Sequence, residues 1–353
     1  MDDRKFRILQ AIIDDYILTA IPVGSRTISK KYDMGLSSAT IRNEMSDLEE
    51  LGYLDQPHVS AGRIPSLKAY RFYVDQLLQQ GLIKSSDSES MLNYFANRTR
   101  HMEDVIGHAA KVLSGLTNYT AMVLGPSGSA VNIKSLQLVY VGNAQALVVI
   151  VTDSGIMRDQ FIRIPLEVDA DSLYEISRML TECLREHTLS EAAIILETLL
   201  KQTSPSTAFL MEGIKNFVDE MQEPGNICKI ALGGASNILN FPEYNDTEKA
   251  KGLLSVLETK DKLMQLLRND GNMAFSVHIG PENGIPELEN CSLVTTTYRI
   301  GSKTQGTIGV IGPTRMQYSK VLGVLQGMGR QLTELLSQEK EYLNDQEKKQ
   351  KER

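Results

Sequence analysis

With 353 residues, 42% of them hydrophobic, the chain is long enough for two or three domains with substantial cores. Its net charge of −7, from 37 Lys+Arg and 44 Asp+Glu, excludes a uniformly basic nucleic-acid coat, so any contact with a polyanion needs local sorting of charge. The three cysteines (183, 228, 291) have no metal or redox spacing, the first residues hold no apolar leader, and no apolar run approaches ~18 residues; together these point to a reducing cytoplasm and away from a membrane.

In chain order, residues 3–19 carry Phe6, Leu9, Ile12 or Ile13, and Tyr16 on one helical face. Ile21-Pro22-Val23-Gly24 breaks that helix. Ser25 is suited to cap a short second helix, Arg26–Tyr32, and Ser25, Arg26 and Thr27 at its start form a candidate phosphate contact. Asp33-Met34-Gly35 turns the chain into a third helix.

That third helix begins at Ser37-Ser38, whose hydroxyls cap free N–H groups, and ends at Gly52, which takes up the left-handed conformation. Ile41, Met45, Leu48 and Leu51 form an apolar stripe. Ala39, Arg42, Asn43 and Ser46 lie opposite, with Ser38 and Thr40 at the leading end. The acids Asp47, Glu49 and Glu50 gather at the far end. This polarity suits a helix entering a major groove by its N-terminus, with Arg and Asn on purine edges and Ser and Thr on phosphates. Alone, the same helix reads as an ordinary amphipathic surface helix.

The residues beyond Gly52 weigh against that plain reading. Tyr53-Leu54 and Val59 have strand character and Gln56-Pro57-His58 can turn. From Gln56 to Val74 there are three basic residues, one His and no acid. A short hairpin with Arg63 at its tip fits phosphate or minor-groove contact, through His58, Ser60, Gly62 and Arg63. Ser66 can cap a fourth helix, with Leu67, Tyr70, Val74 and Leu77 or Leu78 inward. Residues 1–80 hold ten Lys+Arg and eleven Asp+Glu, 10 − 11 = −1, so the acids must turn away from any DNA. Helix, helix, turn, helix and hairpin make a winged helix-turn-helix.

Pro57-His58-Val59-Ser60-Ala61-Gly62-Arg63-Ile64-Pro65, with Ala69-Tyr70-Arg71-Phe72-Tyr73-Val74-Asp75, resembles the signature of the HrcA family, the bacterial heat-inducible transcription repressors. Ser37-Ser38-Ala39-Thr40-Ile41-Arg42-Asn43-Glu44-Met45 with Leu48, Leu51-Gly52 and Leu54 matches that family's recognition helix. The resemblance continues more loosely to about residue 337. It implies a GAF-like domain interrupted by an inserted dimerisation domain. It also implies negative control of class I heat-shock operons (chaperonin and DnaK), a CIRCE-type inverted repeat as operator, and a chaperonin that keeps the repressor active.

Beyond residue 80, Ser85–Ser90 reads as a polar linker and about 91–116 as a helix carrying His101 and His108 on one face, with no carboxylate in ligand spacing. Thr120–Leu124, Asn132–Val141, Gln145–Thr152 and Met157–Ile164 read as an antiparallel meander with turns at Gly142-Asn143-Ala144 and Asp153-Ser154-Gly155. Ala170–Met221 is helical, Ile227–Leu232 a strand, Thr247–Leu267 helical. Ala274–Ile279, Ser292–Tyr298 and Gln305–Ile311 are strands, and Met316–Leu336 is a last helix. The tail, 338–353, reads as solvated or frayed helix.

The expected organisation is therefore α+β and multidomain. It comprises a winged helix-turn-helix (1–80), a linker and connecting helix (81–117), a GAF-like α/β domain (118–165 and 245–337) split by a mostly helical dimerisation insert (166–244), and the charged tail. No catalytic, cofactor or metal site is expected. Gly301-Ser302-Lys303-Thr304 lacks the spacing of a phosphate loop, and the Gly-rich runs at 125–129 and 233–236 lack that of a dinucleotide site. The expected partners are double-stranded DNA, a second copy of the chain and the chaperonin. Two other readings are a metabolite-responsive repressor with its ligand in the GAF-like domain, and a protein that uses the winged helix for protein contact.

Overall fold

The first helix, α1 (Asp3–Thr19), starts where the Asp2 carboxylate accepts the Lys5 N–H at 2.8 Å and stops at Ala20, which turns left-handed (φ 56°). Ile8, Leu9, Ile12 and Ile13 are fully buried along it. The computed structural model describes residues 2–58, 61–79, 102–125, 132–153, 157–203, 205–222, 230–267, 275–300 and 304–351. Helix α2 (Ser25–Lys31) takes Gly24, not Ser25, as its N-cap, and no side chain caps it. Helix α3 (Ser38–Glu50) is capped by Ser37, whose Oγ accepts the Thr40 N–H at 3.1 Å. Ile41, Met45 and Leu48 are buried, each contributing about 1.5–3 kcal/mol of apolar burial. Leu51, expected on the same stripe, is the C-cap and half exposed, because the helix ends before it can turn inward.

Strands β1 (Leu54–Asp55) and β2 (Ile64–Pro65) pair antiparallel, Leu54 with Pro65 and Asp55 with Ile64. Val23 extends this ladder by exchanging both backbone hydrogen bonds with Arg63, each 2.9 Å. Helix α4 (Leu67–Gln79) begins at Ser66, whose Oγ accepts the Ala69 N–H. It buries Tyr70, Tyr73, Val74 and Leu77, while Leu67, expected inward, lies at the helix start and is exposed.

The second unit is a five-stranded antiparallel sheet in the order β7-β3-β10-β9-β8: β3 (Thr120–Leu124), β7 (Ile230–Gly233), β8 (Ser276–Ile279), β9 (Cys291–Ile300) and β10 (Thr304–Pro313). Every residue of β3 is buried, as a strand covered on both faces requires. Ala121 and Val123 join the core with α5 (Met102–Thr117) and α11 (Tyr318–Lys351). Met122 and Leu124 join the opposite core with α9 (Thr247–Glu258) and α10 (Lys260–Leu267).

A separate three-stranded sheet, β4 (Ile133–Gly142), β5 (Gln145–Thr152) and β6 (Met157–Arg163), has three helices beside it, α6 (Ala170–Leu184), α7 (Leu189–Leu200) and α8 (Pro205–Gln222). Asn143 and Ala144, both at positive φ, make the tight turn between β4 and β5. Helix α6 covers the edge of β4: Ser177 Oγ and Thr181 Oγ1 both donate to Leu136 O, and they accept from the N–H groups of Leu138 and Leu136.

One expectation changes here. The meander has three strands, because β3 leaves it to lie between β7 and β10. Residues 133–163 therefore do not complete the late sheet, as the 118–165 plus 245–337 grouping required; that sheet draws its outer strand from β7 instead. The tail, expected as solvated or frayed helix, continues α11 in helical backbone to Lys351. The linker at 85–90, His101, Cys228 and the loop at 301–303 lie outside the described residues.

Candidate nucleic-acid interface

Arg42, Asn43 and Ser46 stand on the outward face of α3, exposed, with no hydrogen bond or ion pair to another described residue. Ala39 is exposed beside them. At the leading end, the Ser37 and Thr40 hydroxyls bond each other at 2.9 Å, and Ser38 is half-buried. Ser25 is half-buried and Arg26 and Thr27 exposed on the first turn of α2.

Three of the four acids of α3 are paired within the protein, and the fourth, Glu50, is exposed at its far end. Glu44 pairs with Lys5 at 2.9 Å and with Arg4 at 3.4 Å, and Asp47 pairs with Lys5 at 3.0 Å. Pairing with Glu44 first and Asp47 second pushes the Lys5 ammonium pKa upward. Glu49 is gripped by Arg63, Nε at 2.8 Å and Nη2 at 2.7 Å. Surface pairs of this kind stabilise a fold by only about 0–1 kcal/mol each. Their larger effect is local: they cancel charge that would repel a polyanion from the helix.

The hairpin differs from expectation in its geometry. Arg63 sits at the base, next to β2, rather than at the tip, and its guanidinium is occupied by Glu49. Gly62 lies where a Cβ would stand 2.5 Å from Val23 O and 2.7 Å from the Pro22 carbonyl carbon. Its lack of a side chain is thus explained by packing against α2's approach segment. His58 is exposed near the loop tip, and its carbonyl accepts the Ala61 N–H at 2.9 Å. Ser60 lies outside the described residues. Two further cations of this stretch are occupied. Lys68 donates to Leu51 O at 2.8 Å and lies 4.6 Å from the Tyr53 ring centre, while Arg71 turns to the second unit, donating to Glu282 and to Val277 O.

Among the described residues, no group of three or more His, Cys, Asp and Glu is placed to hold a metal, and no helix is long and apolar enough to cross a membrane. Cys291 is buried with its Sγ 3.0 Å from Tyr244 Oη, and burial pushes its thiol up to about 11. The Lys5, Arg63 and Arg71 partnerships left no mark in the sequence, since each joins residues 14 or more positions apart.

A family model described as the HrcA protein C terminal domain matches residues 103–322. The heat-inducible transcription repressor HrcA of Symbiobacterium thermophilum is 42% identical over 339 residues, spanning 95% of this chain and 98% of that protein. The repressor of the same name from Ruminiclostridium cellulolyticum is 44% identical over 329 residues, 91% of this chain and 93% of its own. A crystal structure of a hypothetical protein at 2.2 Å resolution shares the fold, with a TM-score of 0.67 and 26% identity over 96% of this chain and 99% of that one.

Proposed function

This chain belongs to the HrcA family of heat-inducible transcription repressors, and on that premise we propose how it reads and controls its operator. It is a transcriptional repressor, and its working form is a cytoplasmic homodimer on an inverted repeat of CIRCE type, controlling chaperonin and DnaK operons. Residues 1–79 form a winged helix-turn-helix, with α3 as recognition helix and the β1–β2 hairpin as wing. Arg42 and Asn43 read base edges in the major groove. Ser25, Arg26, Thr27, Ser37, Ser38, Thr40 and Ser46 contact phosphates or base edges. His58 and Ser60 extend the contact along the wing. Arg63 and Gly62 act at its base, Arg63 by cancelling Glu49 and Gly62 by letting the wing close on Val23.

The observation that carries this reading is the sorting of charge on α3. Glu44, Asp47 and Glu49 are each partnered within the protein, while Arg42, Asn43 and Ser46 face outward and engage no other described residue. The five-stranded sheet is the GAF-like body, and residues 132–222 are the insert that pairs two copies. The pairing surface is the outward face of β4–β6, where Val139, Met157 and Phe161 are exposed. Control by temperature arises if the chaperonin holds the repressor in its folded, binding form and unfolded protein competes for it.

A footprinting titration on the inverted-repeat fragment tests this. Protection should appear at lower protein concentration when chaperonin is present, and should fail on heating in its absence. Stable protection well above growth temperature without chaperonin contradicts the control mechanism. The alternative, a metabolite-responsive repressor, has one feature in its favour, a groove of about 380 Å³ between β9 and α11 beside Thr296, Arg299 and Arg330.

A further inference from the structure

The α1–α4 unit meets the second unit along a seam that is only partly packed. A cleft of about 600 Å³ opens there, with Asp14, Leu18 and Tyr73 on one side and Gln317, Tyr318 and Lys320 on the other. The Tyr70 hydroxyl, close to the seam, is buried and finds no hydrogen-bond partner among the described residues. Close packing alone does not fix the relative pose of two bodies across such a gap; directional bonds must do so.

Two arginines supply them, one from each side. Arg315 lies buried in the turn between β10 and α11. Its Nη1 donates to Ile17 O at 2.8 Å, one of the terminal carbonyls that α1 leaves unpaired. Its Nε and Nη2 donate to both carboxylate oxygens of Glu243, Nη2 at 3.1 Å, and its guanidinium carbon lies 5.7 Å from the Phe241 ring centre. Arg71 reaches the other way, from α4. Its Nε donates to Glu282 at 3.0 Å and its Nη2 to Val277 O at 2.7 Å. Glu282 is itself fixed by accepting the Ile279 N–H at 2.8 Å. A planar guanidinium on a carboxylate fork tolerates little rotation, so each pair fixes direction as well as distance.

We propose that Arg71 and Arg315 are positioning residues for operator reading: they set the angle at which α3 is carried on the body, and so the half-site separation that a pair of chains accepts. This rests on the reading of the chain as a paired winged-helix repressor. Neither arginine touches DNA; each acts through the pose of α3.

The test uses the full-length chain and fluorescence anisotropy on three duplexes: a single half-site, the inverted repeat, and the same repeat with about 5 base pairs, half a turn, inserted at its centre. The wild type should lose on the order of 100-fold in affinity on the insertion, the avidity that simultaneous engagement adds. Arg71→Gln and Glu282→Gln should bind the half-site as the wild type does but lose on the order of tenfold or less on the insertion. Glu282→Gln keeps an oxygen for the Ile279 N–H, so its fold is spared. The exchanged pair, Arg71→Glu with Glu282→Arg, should restore the spacing dependence. Spacing dependence identical to wild type in both single variants overturns the proposal. So does a loss of half-site binding as large as the loss on the full repeat, which would make the arginines supports of the reading unit itself. A wild type that binds none of the duplexes overturns the repressor reading and the positioning role with it.

Discussion

Gly62 and Arg63 separate two ways in which a residue of the β1–β2 hairpin can matter. Both stood out in the sequence as contacts to a duplex, because a glycine beside an arginine in an acid-free stretch is what a phosphate contact needs. The structure gives each an intramolecular partner: Val23 for the backbone at 62 and 63, Glu49 for the guanidinium. Gly62→Ala should therefore destabilise the fold by about 1–3 kcal/mol, the cost of forcing a methyl into a filled contact. Urea unfolding of the variant measures this, and a stability equal to wild type would show that the close approach to Val23 relaxes freely. Arg42 and Asn43 are the reverse case. Their side chains are exposed and engage no described residue, which leaves them free for the contact proposed above.

At the scale of elements, the helices of the first unit were legible from hydrophobic period, sharpened by side-chain caps at α3 and α4 but not at α2. The bounds of α1 come out residue for residue, and α3 is capped by one of the two serines expected. Which strands share a sheet was not legible. Local alternation marks β3 and β4 equally as strands, but their partners are β10 and β7 for one and β5 for the other, a choice made by contacts more than 100 residues apart in the first case. The outward face of the three-stranded sheet is the clearest consequence. Val139, Leu147 and Phe161 pair across β4–β5–β6 in one row, and the helices lie on the opposite face. Phe161→Asp places a charge in that row and should leave the monomer folded but unpaired. Analytical ultracentrifugation should show a shift from dimer to monomer, with operator affinity falling in parallel. A variant that sediments as wild type removes this face from the pairing surface.

For the whole molecule, the site is a product of charge sorting in a chain that is acidic overall. The net charge of −7 would repel a polyanion if it were spread evenly. Instead Arg4, Lys5 and Arg63 pair with Glu44, Asp47 and Glu49 of α3, and Arg71 and Arg315 tie the α1–α4 unit to the five-stranded sheet's unit. The segment proposed as recognition helix was readable in the sequence because its polar face is contiguous on one helix. The partners of its acids were not, since Arg4 and Lys5 come from α1 and Arg63 from the hairpin base. Above all, Arg42 on α3 is expected to meet the major-groove edge of a base pair in each half of an inverted repeat. Protection of guanine N7 from methylation, compared between the wild type and Arg42→Ala, tests this most directly. The wild type should protect two symmetric patches of N7, and Arg42→Ala should lose protection at the contacted guanine in each half with an affinity loss of about 1–3 kcal/mol. N7 positions equally protected by both proteins, or left open by both while the operator is bound, would contradict it.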